Sequence, residues 1–214
     1  MAEPGDQSST AGDQLLVALG GLVALVVCGL VARDGEVGSV EVDVFRAVND
    51  LPAWPYPPLW LFQQFGNLIV AVVLGVLVAL GLRRWKVAVA VVVATAGKLW
   101  LETVVKSVVE RRRPGTSIGD VNLRGDVPTG GLSFVSGHAV ITAAVAGLLT
   151  PILPGRWKIV PWVVVALNGL GRIYVGAHNP LDIMGGVGLG LVIAGVLNAV
   201  LAVARRRPSR VSQG

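Results

Sequence analysis

The sequence predicts an all-α protein, an integral membrane bundle of six transmembrane helices joined by short loops. Three observations predict it. Of 214 residues, 53% are hydrophobic and only 14% charged, with a mean hydropathy of +0.70; a soluble domain carries about 25% charged residues. The apolar residues gather into runs of about 20, the length that crosses a bilayer as a helix. The basic residues cluster at the ends of those runs, so the net charge of +5 reads as membrane topology rather than as a nucleic-acid surface.

Six spans are expected, near residues 14–32, 59–82, 87–109, 138–153, 159–176 and 182–204. They form one domain over 14–204, between a disordered cytoplasmic tail (1–13) and a basic cytoplasmic tail (205–214). The leader "MAEPGDQSSTAGDQ" carries acids and no Lys or Arg, so the first run reads as a retained span and not as a cleaved signal. The fourth span is short and interrupted by Pro151 and Pro154. "RRWK" (83–86), "GRWK" (155–158) and "RRRPSR" (205–210) then share one face, which the excess of positive charge makes cytoplasmic. The opposite face receives residues 33–58, residues 110–137 and the turn around "GAHNP". In the first of these, acids alternate with apolar residues ahead of Trp54, Tyr56 and Trp60, which reads as a segment anchored along the interface. The "GGVGLG" run (185–190) lies inside a span, where small residues let helix backbones approach. Cys28 is the sole cysteine, which rules out an intrachain disulfide, and with two histidines in the chain no zinc-type ligand cluster is expected.

Ionisable groups within spans or at their ends are costly and point to function. Lys98, Glu102 and Lys106 follow at steps of four and share a helix face. Arg113 lies two turns beyond Lys106 on nearly that face if the helix persists, and Pro114 ends it. Ser136, Gly137 and His138 open the fourth span, where unpaired N–H groups and the helix dipole suit an anion. Arg172 closes the fifth span. His178 and Asp182 are four apart as the sixth begins, a spacing that lets the carboxylate accept from one imidazole nitrogen and leave the other as a free lone pair. The remaining cations and acids take plainer readings. Arg111 and Arg112 read as a solvated or lipid-facing patch, Glu102 as the neutraliser of Lys98 or Lys106, and Asp120, Arg124 and Asp126 as solvated loop residues. The convergence of two histidines, a Ser-Gly turn and three cations on one side makes a pocket for an anion with a nucleophile and an acid. A phosphate ester fits it.

The order "KSVVERRRP" (106–114), "VSGH" (135–138) and "RIYVGAHNPLD" (172–182) resembles the three-part signature of the type 2 phosphatidic acid phosphatase superfamily, the lipid phosphate phosphatases. The resemblance covers roughly the last two-thirds of the chain. Two positions depart from the pattern: Val135 stands where the family usually has Pro, and Gly171 where it usually has Ser. The resemblance implies that Lys106, Arg113 and Arg172 grip the phosphoryl oxygens, helped by Ser136 and the amide of Gly137. It implies that His178, oriented by Asp182, attacks phosphorus to form a phosphohistidine, and that His138 protonates the leaving oxygen and then activates water. No metal or other cofactor is implied. The two histidines need opposite protonation states, so a bell-shaped pH profile is expected. The expected partners are a membrane lipid phosphate and the bilayer, with no nucleic acid; homo-oligomerisation is left open. The favoured substrate is a polyprenyl diphosphate such as undecaprenyl diphosphate, cleaved at the outer face of the plasma membrane. Phosphatidic acid, phosphatidylglycerophosphate, a polyprenyl-phosphosugar, or phosphotransfer to an alcohol from the same site are the alternatives.

Overall fold

A computed structural model describes residues 10–206, and among these the fold is helical throughout, with no strand. Of the two expected tails, residues 1–9 and 207–214 lie outside the described residues. The helices are α1 (Ala11–Ala32), α2 (Ser39–Asn49), α3 (Tyr56–Gln64), α4 (Leu68–Gly81), α5 (Trp85–Val109), α6 (Pro114–Ser117), α7 (Gly137–Leu149), α8 (Val160–Tyr174) and α9 (Pro180–Arg206).

Local chemistry sets their ends. Thr10 and Asp13 form a reciprocal capping box on α1, the Asp13 carboxylate accepting from the Thr10 N–H at 2.7 Å. The Asn67 side chain accepts from the N–H groups of Ile69 and Val70 and starts α4. Helix α5 stops at Val109 because Glu110 turns left-handed, at φ 50°. The helix therefore does not run on to Arg113. That residue instead caps the short α6, whose first position is Pro114.

Among the described residues three helices, α1, α5 and α9, are long and apolar enough to cross a bilayer, and α3 with α4 adds a fourth if the pair, bent by 66°, is taken as one span. The fourth expected span is shorter than the reading had it: α7 ends at Leu149, and a 3-10 turn over Thr150–Ile152 carries Pro151. The expected interfacial segment is the amphipathic α2, with Phe45 and Asn49 buried and Val40 exposed, followed by the exposed ring of Trp54.

Glycines govern how the helices meet. Lipid tails are as apolar as the side chains, so association in a bilayer rests on close packing. A Cβ on Gly188 would lie 2.6 Å from the carbonyl oxygen of Gly21, and one on Gly195 would lie 2.6 Å from that of Gln14, so α9 and α1 touch backbone to backbone. On its other side a Cβ on Gly190 would lie 2.6 Å from Val140 O, and one on Gly186 would lie 2.8 Å from Ser136 O. Helix α9 is thus held between α1 and α7 without room for a methyl group on either face. The second apolar cluster, around Leu59, Tyr174, Val175 and Ala177, fastens α3 to the turn that follows α8.

Gly190→Leu is expected to lower the thermal stability of the detergent-solubilised protein by about 3 kcal/mol or prevent folding. Gly20→Leu, at a position with nothing within 4 Å, is expected to leave the melting temperature unchanged; equal effects from the two would overturn this account of the packing.

Candidate active site

The three motifs arrive from separate segments and meet on one cavity of about 750 Å³. Lys106 comes from the last turn of α5, Arg113 from the start of α6, Gly137 and His138 from the first turn of α7, Arg172 from the last turn of α8, and His178 from the turn before α9; all line the cavity. Ser136 and Asp182 stand behind its wall with no exposed surface. Five cations, Lys98, Lys106, Arg113, Arg124 and Arg172, line it against two carboxylates, Glu102 and Asp126.

The cations are held in place by partners that do not consume all their donors. Lys98 and Lys106 both reach Glu102 at 2.6 Å, one on each carboxylate oxygen, so Glu102 serves both lysines. The Arg113 guanidinium donates to the carbonyls of Gly130 at 3.0 Å and Ala177 at 2.9 Å. Arg172 donates to Gln63 Oε1 at 3.0 Å, while its Nε is buried and makes no hydrogen bond. Gln63 carries no signal in the sequence. It reaches Arg172 because Gly171, one of the two departures from the family pattern, has Gln63 Cγ only 3.0 Å from where a Cβ would stand. A serine there would crowd the Gln63 side chain, which would have to give by a few tenths of an ångström.

Ser136 is the N-cap residue of α7, yet its hydroxyl makes no capping bond and no other hydrogen bond. A buried hydroxyl left unspent, beside N–H groups of a first helical turn, suits an anionic oxygen. His138 sits under the break between α3 and α4: a Cβ on Gly66 would lie 2.6 Å from His138 Cδ2 and 2.6 Å from Asn168 Nδ2. The bend thus closes directly over the imidazole.

The second histidine differs from the expected geometry in one respect. His178 Nδ1 stands 3.6 Å from Asp182 Oδ2, a contact longer than a hydrogen bond. The same carboxylate oxygen accepts from the Asn179 N–H at 2.8 Å, which pins the turn. Burial pushes the His178 pKa down to about 4; Asp182 opposes the shift, and the charges of Arg172 and Arg113 add to it. The ring is therefore neutral at ordinary pH, with a lone pair available.

Two residues depart from their sequence readings, and a third had none. Arg111 is neither solvated nor lipid-facing: it has no exposed surface and donates to Glu41 and Asp182. Burial alone would depress its pKa, but the two carboxylates outweigh that and raise it above the usual arginine value. Arg124 is not a free loop residue. It donates to the carbonyls of Asn49, Leu51 and Tyr174 at 2.7–2.8 Å and stacks on the Tyr174 ring, 4.2 Å from its centre. Glu41, from α2, was no candidate at all. Asp120 and Asp126 are exposed, as read.

A neutral imidazole, a second imidazole at a helix start, and a positively charged cavity can together displace a group at phosphorus and protonate what leaves. Comparison with known proteins agrees with that chemistry. The family model of the PAP2 superfamily matches residues 86–206. Over 176 residues the chain is 35% identical to the decaprenylphosphoryl-5-phosphoribose phosphatase of Mycobacterium tuberculosis, covering 79% of this chain and 92% of that one. It is 28% identical over 173 residues to an undecaprenyl-diphosphatase of Sulfolobus acidocaldarius, covering 79% and 82%. Its fold is similar to Aquifex aeolicus LpxE (TM-score 0.61, 22% identity, 79% and 98% covered). It is also similar to a PAP2 type phosphatidylglycerolphosphate phosphatase from Bacillus subtilis (TM-score 0.64, 21% identity, 88% and 98% covered). With more than half its length in the family match, and its three motifs on one cavity, the chain belongs to the PAP2 superfamily and is a membrane lipid phosphatase.

Proposed function

We propose that this enzyme removes the terminal phosphate of a polyprenyl lipid at the outer face of the plasma membrane, through a phosphohistidine. The observation that carries the reading is the single cavity lined by both histidines and three motif cations. The terminal phosphoryl group rests on Lys106, Arg113 and Arg172, with the Gly137 amide on a remaining oxygen and the unspent Ser136 hydroxyl turning forward from behind the wall to meet another. His178 Nε2 donates its lone pair to phosphorus while the bond to the bridging oxygen breaks, and His138 gives that oxygen its proton. Asp182 faces the ring that has become positive. His138, now neutral, takes a proton from water; the water oxygen attacks phosphorus, phosphate leaves, and His178 is restored.

The topology belongs to the same reading. Helices α1, α3 with α4, α5, α7 with its 3-10 turn, α8 and α9 make six passes over residues 14–204, with both tails cytoplasmic. Support comes from Arg83 and Arg84 between α4 and α5, Lys86 in the first turn of α5, and Arg156 and Lys158 between α7 and α8, none of which lines the cavity. An apolar groove of about 250 Å³ between α4, α7 and α8 starts at Phe65 and Thr142, one turn below His138, and ends at Trp157. It suits the lipid chain of a substrate whose phosphate lies above.

Two leaving groups fit the family. A polyprenyl diphosphate is the reading the sequence favours, in keeping with the undecaprenyl-diphosphatase relative. A polyprenyl-phosphosugar has a specific observation behind it. Lys98 and Glu102 line the cavity up to two turns deeper along α5 than Lys106, on the side where the bridging group of a lipid must lie. With Lys106 engaged on the terminal phosphate, that pair is neutral and offers a carboxylate to hydroxyls, and the relative at 35% identity is a phosphoribose phosphatase.

A panel of polyprenyl diphosphate, polyprenylphosphoryl-5-phosphoribose, phosphatidylglycerophosphate and phosphatidic acid, presented to the purified protein in detergent, tests the substrate class. Both polyprenyl lipids are expected to exceed the glycerolipids in kcat/KM; a glycerolipid turned over fastest would overturn it. His178→Ala is expected to lose activity by about 10,000-fold, and rapid quenching of the unaltered enzyme to trap an acid-labile phosphoenzyme that the variant lacks. The acid limb of kcat/KM reports the free-enzyme nucleophile. Since His178 must be neutral to attack and its pKa lies at about 4, the rate is expected to hold down to that region; a limb near 6.5 would contradict the buried, depressed imidazole.

A further inference from the structure

We infer that Glu41 and Arg111 are positioning residues for the nucleophile: Glu41 occupies the Arg111 guanidinium so that the charge of Asp182 remains available to His178. The inference rests on the proposed role of His178 and goes beyond the residues to which the three motifs assign a role: Glu41 lies outside the motifs, and Arg111 is a position of the first to which none is assigned.

The bonding is unequal, and the inequality carries the argument. Arg111 gives Glu41 its fork, with Nη1 donating to Oε1 at 3.0 Å and Nη2 to Oε2 at 2.5 Å. Asp182 receives a single contact, from the same Nη1 to Oδ1, at 3.3 Å. Paired, planar N–H donors on one carboxylate are the stronger arrangement. Arg111 has no exposed surface and Glu41 is nearly enclosed, so neither charge has water to fall back on. Two carboxylates thus face one guanidinium and one neutral imidazole. The set is short of one positive charge, and attack by His178 on phosphorus places that charge on its ring, beside Asp182. Take Glu41 away and Arg111, unshared, draws the fork onto Asp182; the carboxylate then serves the arginine and not the histidine.

The same two residues hold the segments together. Glu41 Oε1 also accepts from the Leu181 N–H at 2.9 Å, so α2 caps the first turn of α9 from outside. The Arg111 carbonyl accepts from the Ser133 N–H at 2.7 Å, three residues before Ser136. Asp182 O in turn accepts from the Ser136 N–H at 3.0 Å. Arg111 therefore lies inside the first motif, touches the approach to the second and bonds the third.

The test compares Glu41→Gln, Arg111→Met and the double variant in detergent, with kcat, KM, pH profile and melting temperature measured for each. Glu41→Gln keeps an acceptor for Leu181 and loses the charge. It is expected to lower kcat by about tenfold or more with KM within about twofold. Its acid limb is expected to move to lower pH, because Asp182, taken up by Arg111, no longer offsets a charge on His178, while Arg113, Arg172 on α8 and His138 on α7 are untouched. Removing Arg111 as well frees Asp182, so the double variant is expected to regain most of the lost kcat. A double variant no better than Glu41→Gln would overturn the inference and leave a merely structural ion pair. If the variants lacking Arg111 do not fold, the Glu41→Gln profile decides alone: an unmoved limb or an unchanged kcat sinks it. Failure of the phosphoenzyme to form in the unaltered protein would instead indict the role of His178.

Discussion

The structure depends on how one buried carboxylate, that of Asp182, is compensated. An ion taken out of water costs several kcal/mol unless partners replace the lost hydration. Asp182 has no exposed surface; its oxygens take Arg111 Nη1 and the Asn179 N–H, and one of them faces His178. Those partners come from the loop after α5 and from the turn before α9, and Glu41 of α2 completes the set through Arg111. Burying this charge and bringing the motifs together are therefore one event. The chain cannot hide Asp182 without also setting the histidine beside it.

What allows the segments to come so close is the absence of side chains. Helix α9 meets α1 and α7 at glycines whose missing Cβ atoms would fall 2.6–2.8 Å from carbonyl oxygens of the neighbours. Gly186 matters most for the site, since it brings the Ser136 carbonyl, and with it the start of α7, against the helix that begins just after His178. Gly66 has a related role at His138, letting the bend between α3 and α4 close over the ring. In a bilayer, where apolar burial gives helices little reason to associate, such contacts supply the dispersion and geometry that a soluble core would obtain from larger residues.

The electrostatics follow a common scheme. Each cation of the cavity has protein partners that fix its direction: Glu102 for the two lysines, backbone carbonyls for Arg113 and Arg124, Gln63 for Arg172. Donors that are already aimed need little reorganisation when charge develops at a phosphoryl group, which is where such sites gain most of their rate.

Much of this was legible in one dimension. The apolar runs determined an all-helical membrane protein, because a bilayer demands long apolar segments whose backbone bonds are satisfied internally. The spacing of Lys98, Glu102 and Lys106 determined a shared face, and the three motifs picked out residues that line one cavity, because helical periodicity and local order are properties of the chain itself. Tertiary structure decided the rest. Arg111 looks like one of three equivalent arginines until its neighbours 70 residues away are known, and Glu41 looks like one acid of an interfacial helix. Arg124 reads as a loop cation until the carbonyls of Asn49 and Tyr174 surround it. Whether a charge is solvated or buried is set by what packs on it from distant segments, and sequence spacing records only what lies within a few turns.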